Sequence, residues 1–176
     1  MNFEKEETKD IVLSAVSKMN EQPLHRQVTY SCLQSGGLQK YVEVAITNEC
    51  KLRYPKYNFY HPDDKLAMPD VWSDFYQNGC EIKVTIGKKT YDKRCKKYRT
   101  SYVWQNGTSQ KSTENFVFIK AHIEEHIVNN EHDDILVVDK IYIGRFSYLQ
   151  WKLSCKRTGS LYITETDVKK YCEQIV

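Results

Sequence analysis

Two segments in the first third of the chain carry apolar residues at helical spacing. In residues 4–19, Val12, Ala15, Val16 and Met19 fall on one face of a helix. A second segment, residues 38–52, repeats the pattern and is followed by Pro55, which cannot continue a helix. Its apolar positions are Leu38, Tyr41, Val42, Ala45, Ile46 and Leu52. Both segments are therefore predicted to be amphipathic helices.

After residue 57 the spacing of apolar residues becomes that of strands. In "CEIKVTI", residues 80–86, apolar side chains alternate with Glu81, Lys83 and Thr85, which predicts a strand with two unlike faces. Residues 115–123 and 134–153 are rich in β-branched and aromatic residues and predict further strands, although the first half of the later segment also fits a short helix. Residues 164–176 predict a C-terminal helix that starts at Thr164 in a pattern resembling a capping box.

The order of these elements is helix, helix, strands, helix. It predicts an α/β (α+β) fold in which a central mixed β-sheet is flanked by helices. The chain has 176 residues, enough for one sizeable core, and shows no repeat, low-complexity tract or linker. We therefore expect residues 1–176 to form a single domain.

The composition is that of a globular protein, with 40% hydrophobic and 12% aromatic residues. No apolar run approaches the roughly 20 residues that cross a bilayer. The charged N-terminal segment lacks the features of a secretory signal, so we expect a cytoplasmic protein without a membrane partner. The six cysteines form no CxxC pair, which argues against structural zinc and for free, mostly buried thiols.

Positive charge is concentrated in one segment. The net charge of the chain is only +3, but residues 88–111 contain eight Lys or Arg and one acid, and so carry +7. The remainder carries −4. A basic block on an otherwise acidic protein is typical of nucleic-acid binding, and the interleaved Tyr91, Tyr98, Tyr102 and Trp104 favour that interpretation over a solvated surface loop.

The individual side chains of this block predict two kinds of DNA contact. Lysines neutralise phosphates, whereas Arg can pair with guanine and Gln or Asn with adenine. The predicted phosphate contacts are Lys88, Lys89, Lys93, Lys96 and Lys97. The predicted base contacts are Arg94, Arg99, Gln105, Asn106 and Gln110, the last three near a turn at Asn106-Gly107.

Two carboxylates and a lysine precede this block. Glu81 and Lys83 share a strand face roughly 7 Å apart, and Asp70 lies upstream in "MPDVW". Two converging carboxylates bind a hard divalent cation, which can activate water and stabilise charge on a phosphate. A tight Asn78-Gly79 turn would leave Asp70 roughly 20 Å from Glu81. A wider loop, about 73–78, places Asp70 opposite Glu81, so the functional hypothesis requires the wider loop.

The pattern "PD", ten residues, then "EIK" resembles the PD-(D/E)XK nuclease superfamily, and the short chain resembles a type II restriction endonuclease. This resemblance implies a restriction-endonuclease-like fold, Mg²⁺ as cofactor, Asp70 and Glu81 as metal ligands with the Ile82 carbonyl, and Lys83 as an aid to the attacking water. Many members add a Glu on the preceding helix, for which Glu43 is the candidate and Glu49 the alternative.

The function implied is hydrolysis of phosphodiester bonds at a short specific site in double-stranded DNA. The expected partners are a second copy of the chain, as a homodimer matched to symmetric DNA, and a cognate DNA methyltransferase that protects host DNA. The alternatives are a structure-specific DNA nuclease of the junction-resolvase or mismatch-nicking type, and a non-catalytic nucleic-acid-binding module. His122 and His126 are expected to be surface residues, and "HPDD", residues 61–64, a solvated turn.

Overall fold

The computed structural model describes residues 4–21, 37–62, 68–92, 95–106, 113–129, 131–155 and 160–176. The helices in these ranges are α1 (Lys5–Met19), α2 (Gly37–Arg53) and α3 (Glu165–Tyr171), with short 3₁₀ turns at Pro55–Tyr57 and Phe146–Tyr148. The strands are β1 (Phe59–Tyr60), β2 (Val71–Ser73), β3 (Asn78–Thr85), β4 (Lys88–Asp92), β5 (Lys97–Ser101), β6 (Val103–Asn106), β7 (Asn115–Glu124), β8 (Ile127–Val128), β9 (Glu131–His132), β10 (Ile135–Arg145), β11 (Lys152–Cys155), β12 (Ser160–Thr164) and β13 (Glu173–Gln174).

A six-stranded mixed sheet forms the centre of the molecule, with strand order β1-β2-β3-β7-β10-β13. Strands β3 and β7 are parallel, and the other neighbours are antiparallel. Parallel neighbours need a crossover, and here the connection from β3 to β7 contains β4, β5 and β6. The predicted α+β class, with a central mixed sheet flanked by helices, is confirmed.

Helices α1 and α2 cover one side of the central sheet. Their predicted apolar faces supply Val12, Val16, Val42 and Ile46 to a core that also contains Ile82 of β3. The predicted bounds of both helices agree with the structure to within one residue. None of the helices in the described ranges combines the length and apolarity needed to cross a bilayer.

A second core lies on the other side of the sheet, between β7 and β10 and the small sheet β11-β12-β6 with α3. It contains Trp104, Phe116, Phe118, Tyr142 and Ile163. The indole N–H of Trp104 donates to the Ile119 carbonyl at 3.2 Å. Trp104 is thus a core residue rather than the exposed aromatic that its place in the basic block suggested.

The C-terminal prediction is partly wrong. Thr164 caps α3 as expected, because its hydroxyl accepts from the Asp167 amide at 3.4 Å. The helix ends at Tyr171, however, and β13 then pairs with Tyr142 and Ile143 of β10. Hydrogen bonds to the sheet edge replace the last helical turns. The alternative of a short helix in the first half of residues 134–153 is also wrong, since Ile135–Arg145 form strand β10.

Candidate active site

The register of the β2–β3 hairpin brings the motif residues together. Val71 pairs with Cys80 and Ser73 with Asn78 across a turn of residues 74–77, so Asp70 falls opposite Glu81. The wider loop required by the functional hypothesis is confirmed. The tight Asn78-Gly79 turn is wrong, because both residues lie within β3.

Asp70 is fixed by a main-chain contact. Its Oδ2 accepts from the Ile82 amide at 2.8 Å, which continues the β2–β3 pairing by one step with a side chain in place of a carbonyl. The N–H and C=O of one strand residue face the same neighbouring strand. The Ile82 carbonyl, the predicted metal ligand, therefore faces the side of β3 on which Asp70 lies.

Lys83 joins the two carboxylates. Its Nζ contacts Glu81 Oε1 and lies 3.8 Å from Asp70 Oδ2. All three side chains are buried, with exposures of 8% for Asp70, 0% for Glu81 and 4% for Lys83. The predicted alternation along β3 holds, but the polar face is enclosed, since Glu81 and Lys83 are in register with the buried Phe116 and Phe118.

The electrostatics of the site favour a cation. Burial acts to lower the pKa of Lys83, but the charges of Asp70 and Glu81 and the hydrogen bond to Glu81 outweigh it, so the pKa is raised. The same field suits a divalent cation. Mg²⁺ is bound through one or two carboxylates, with water and substrate phosphate completing its shell, and Asp70, Glu81 and the Ile82 carbonyl supply that donor set. Within the described ranges, no group of three or more His, Cys, Asp or Glu side chains is arranged around one metal position.

Glu43, rather than Glu49, faces this site. The Glu43 carboxylate is close enough to contribute to the raised pKa of Lys83, and its Oε1 accepts from Gln39 at 2.7 Å. Glu49 instead accepts from Lys18, Arg53 and Ser14 in the contact between α1 and α2. Burial acts to raise the pKa of Glu49, but these hydrogen bonds lower it to about 2. Glu49 is a structural ion pair.

His61 joins the site, although the sequence analysis assigned it to a solvated turn. Its Nδ1 lies 2.5 Å from the Asp70 carbonyl oxygen, and its Nε2 lies 3.8 Å from Glu43 Oε2. The short strand β1 places it there by pairing Tyr60 with Trp72, which brings the next residue beside the start of β2. The aromatic pair at 59–60 was the available sequence signal. Asp63 and Asp64 lie outside the described residues.

Where the structure describes it, the basic block is mostly strand. Strands β4 and β5 make a separate two-stranded ribbon, in which the aromatic rings of Tyr91 and Tyr98 pair with centroids 5.2 Å apart. Lys88, Lys96 and Lys97 are exposed on this ribbon. The backbones of Lys89 and Arg99 lie in β4 and β5, and that of Asn106 in β6, without described side chains. Lys93, Arg94 and Gln110 lie outside the described residues, as does Gly107 of the predicted turn.

A cavity of about 370 Å³ lies between the start of the ribbon, the end of β3 and the start of α2. It is lined by Lys88 and Gln105, two of the predicted DNA contacts, and by Gln39 and Thr85. Gln39 donates to Glu43, and Thr85 is the next residue after Lys83 on the same strand face. The cavity is therefore separated from Glu43 and Lys83 by one residue on each side, and none of the carboxylates lines it.

Gly79 makes the hairpin register possible, and we expect Gly79→Ala to disturb the site. A Cβ there would lie 2.3 Å from Pro69 Cγ and 2.4 Å from the Val71 carbonyl oxygen, so the segment carrying Asp70 must shift. We expect an overpacking cost of about 1–3 kcal/mol in urea unfolding. Gly144→Ala is the control, because its Cβ would meet the Cys172 side chain, away from the site. Equal losses of stability in both variants would contradict a specific shift of the segment that carries Asp70.

The other histidine cluster is a set of surface pairs. His122 Nδ1 lies 2.8 Å from Asp139 Oδ1, and His126 Nε2 lies 3.4 Å from Glu124 Oε1. Both histidines are exposed, as the sequence analysis expected.

Comparisons with known proteins add no relative. No family model, curated protein or solved structure matches this chain. The arrangement of Asp70, Glu81 and Lys83 is therefore the observation that bears most directly on function.

Proposed function

We propose that this protein is a Mg²⁺-dependent endonuclease that hydrolyses phosphodiester bonds in double-stranded DNA. The observation that carries the proposal is the convergence of the Asp70 and Glu81 carboxylates on the Lys83 ammonium beside β3, an inner strand of the central sheet. Burying three charges together is costly to a fold, which favours a functional reason for retaining them.

The roles of the residues follow from their contacts. Asp70, oriented by the Ile82 amide, and Glu81 would hold the ion together with the Ile82 carbonyl. Mg²⁺, when bound, supplies an activated water and a positive charge for the phosphate. Lys83 lies against both carboxylates, where its ammonium can orient the water and stabilise negative charge on the phosphate oxygens.

The ribbon supplies the contacts to DNA in this proposal. It follows β3 directly through residues 86–87, so it is tied to the strand that carries Glu81 and Lys83. A two-stranded β-ribbon fits the major groove of B-DNA, and the exposed Lys96 and Lys97 near its turn can neutralise phosphates. Gln105, Asn106, Gln110, Arg94 and Arg99 remain the candidate base contacts.

The specific form that we propose is a restriction-endonuclease-like fold with the activity of a type II restriction enzyme. Such an enzyme cuts both strands at a short specific site, which favours a homodimer, and it has a DNA methyltransferase as its functional partner. Light scattering of the protein, free and on DNA, measures the dimer directly.

Incubation of supercoiled plasmid with the protein and Mg²⁺, with EDTA as control, tests the proposal. Discrete fragments with defined ends support the restriction activity. Cleavage of branched or mismatched DNA alone identifies a structure-specific nuclease instead. A gel shift without Mg²⁺-dependent cleavage of any DNA identifies a non-catalytic binding module and refutes the proposal.

The ribbon lysines are expected to govern the salt dependence of DNA binding. Lys96→Gln and Lys97→Gln should each weaken binding to specific and random DNA alike and reduce the slope of log K against log salt by about 0.9. Lys51→Gln, an exposed lysine at the end of α2, is the matched control. Slopes in the ribbon variants equal to that of the control would remove the ribbon from the DNA interface.

A further inference from the structure

The hydrogen bond to Asp70 fixes the tautomer of His61. A backbone carbonyl can only accept, so at 2.5 Å from the Asp70 oxygen the Nδ1 atom of His61 must carry the proton. In a neutral imidazole the other nitrogen, Nε2, is then an acceptor with a free lone pair.

This lone pair faces a second acceptor. Nε2 is buried and has no hydrogen-bond partner among the described residues, and it lies 3.8 Å from Glu43 Oε2. The side-chain amide of Gln39 donates to Glu43 Oε1. It does not donate to Oε2, the oxygen that faces the imidazole. Two acceptors that face each other are unfavourable unless a donor or a cation joins them. The joining group is a proton on Nε2, a bridging water or a metal ion.

We propose that His61 Nε2 and Glu43 Oε2 bind one borderline divalent transition-metal ion, such as Zn²⁺. A tetrahedral ion with metal–nitrogen and metal–oxygen bonds of about 2.0–2.2 Å would hold the two atoms about 3.4 Å apart. The observed separation is 3.8 Å, so a closure of about 0.4 Å lets one ion contact both atoms. A ligating histidine characteristically donates its other N–H to a carbonyl or carboxylate, which is what Nδ1 does with Asp70.

The ligand types distinguish this position from the Asp70–Glu81 pair. An imidazole selects borderline transition metals, whereas carboxylates and carbonyls alone suit Mg²⁺. Two protein ligands leave positions open for water or a substrate oxygen, as catalytic metal positions do. This position does not depend on the nuclease proposal, but it adjoins the same site, because His61 also holds the main chain of Asp70.

Titration of the metal-free, full-length protein with Co²⁺, followed by visible absorption, tests the proposal without DNA. His61→Asn keeps a donor for the Asp70 carbonyl and removes Nε2. We expect it to weaken Co²⁺ binding by at least the roughly 10–100-fold that loss of an outer-shell partner costs. Glu43→Gln should weaken binding comparably and serves as the second variant. His122→Asn, which alters an exposed histidine–carboxylate pair, is the matched control and should leave the Co²⁺ affinity unchanged.

Two results would overturn this inference. One is a wild-type Co²⁺ affinity no higher than that of the His61→Asn variant. That result would assign the contact between His61 and Glu43 to an imidazolium–carboxylate ion pair. The other is an equal loss in the His122→Asn control. Plasmid cleavage with Mg²⁺ separates this outcome from the nuclease proposal. If the protein cleaves DNA with Mg²⁺ but its Co²⁺ affinity does not depend on His61, the nuclease proposal stands and the metal position is refuted. If Co²⁺ binding depends on His61 but no DNA is cleaved, only the metal position stands.

Discussion

Glu81→Gln and Asp70→Asn are expected to lower the rate of Mg²⁺-dependent DNA cleavage by at least about 10²–10³-fold, the loss typical of a preorganised charge-stabilising group. Each change removes one negative charge while keeping the shape of the side chain. The Lys83 ammonium retains an oxygen to contact in either variant. DNA affinity should change little, because in this proposal the lysines of the ribbon, and not these carboxylates, bind the phosphates. Single-turnover cleavage and gel shifts measure the two quantities separately.

The controls for this prediction lie on the same sheet. Glu124→Gln, on β7, removes an exposed carboxylate away from the site and should leave the rate unchanged. Lys83→Gln is a further variant of the site itself: it keeps a donor but loses the charge, and it is assayed below its unfolding temperature. Unchanged activity in Glu81→Gln would end the assignment of this site. Unchanged activity in Glu43→Gln would remove only Glu43 from the reaction.

The helices and the site were predictable because their signals are local or depend on spacing. Helical periodicity defined α1 and α2, since an amphipathic face specifies its own burial. The motif spacing predicted that Asp70, Glu81 and Lys83 converge, and this requirement selected the wider hairpin that the structure shows. The turn itself was not predictable from its residues. Asn-Gly is a strong local turn signal. Here, however, Gly79 lies within β3, where the close approach of Pro69 leaves no room for a side chain.

The position of Gly79 shows why local propensity failed. Its missing Cβ admits Pro69 and the Val71 carbonyl, and its own carbonyl accepts from Thr113 at 2.7 Å. These partners are tertiary, so no window around residue 79 reveals them. The burial of Glu81 and Lys83 was likewise not predictable from their own segment. They lie beside Phe116 and Phe118 of β7, which come much later in the chain.

The removal of Lys83 alone is expected to destabilise the fold strongly. In Lys83→Ala, the carboxylates of Asp70 and Glu81 remain buried without the ammonium that both approach. Breaking a buried ion pair by removing one partner costs about 3–5 kcal/mol. We expect a loss of that size in the free energy of unfolding in urea. Lys152→Ala, which breaks the exposed pair with Asp167, should have a much smaller effect.

The double variant Lys83→Met with Glu81→Gln distinguishes an ion-pair effect from lost packing. It removes one charge of each sign, so its cost should be well below the sum of the two single changes, as a thermodynamic cycle would show. The pH dependence gives a second check. Because the folded-state pKa of Lys83 lies above its ordinary value of 10.5, its contribution is fully present at neutral pH and is lost only as the pH rises beyond that value. A wild-type protein that loses no more stability than Lys83→Met between neutral pH and strongly alkaline pH would show that Lys83 does not hold the two carboxylates together.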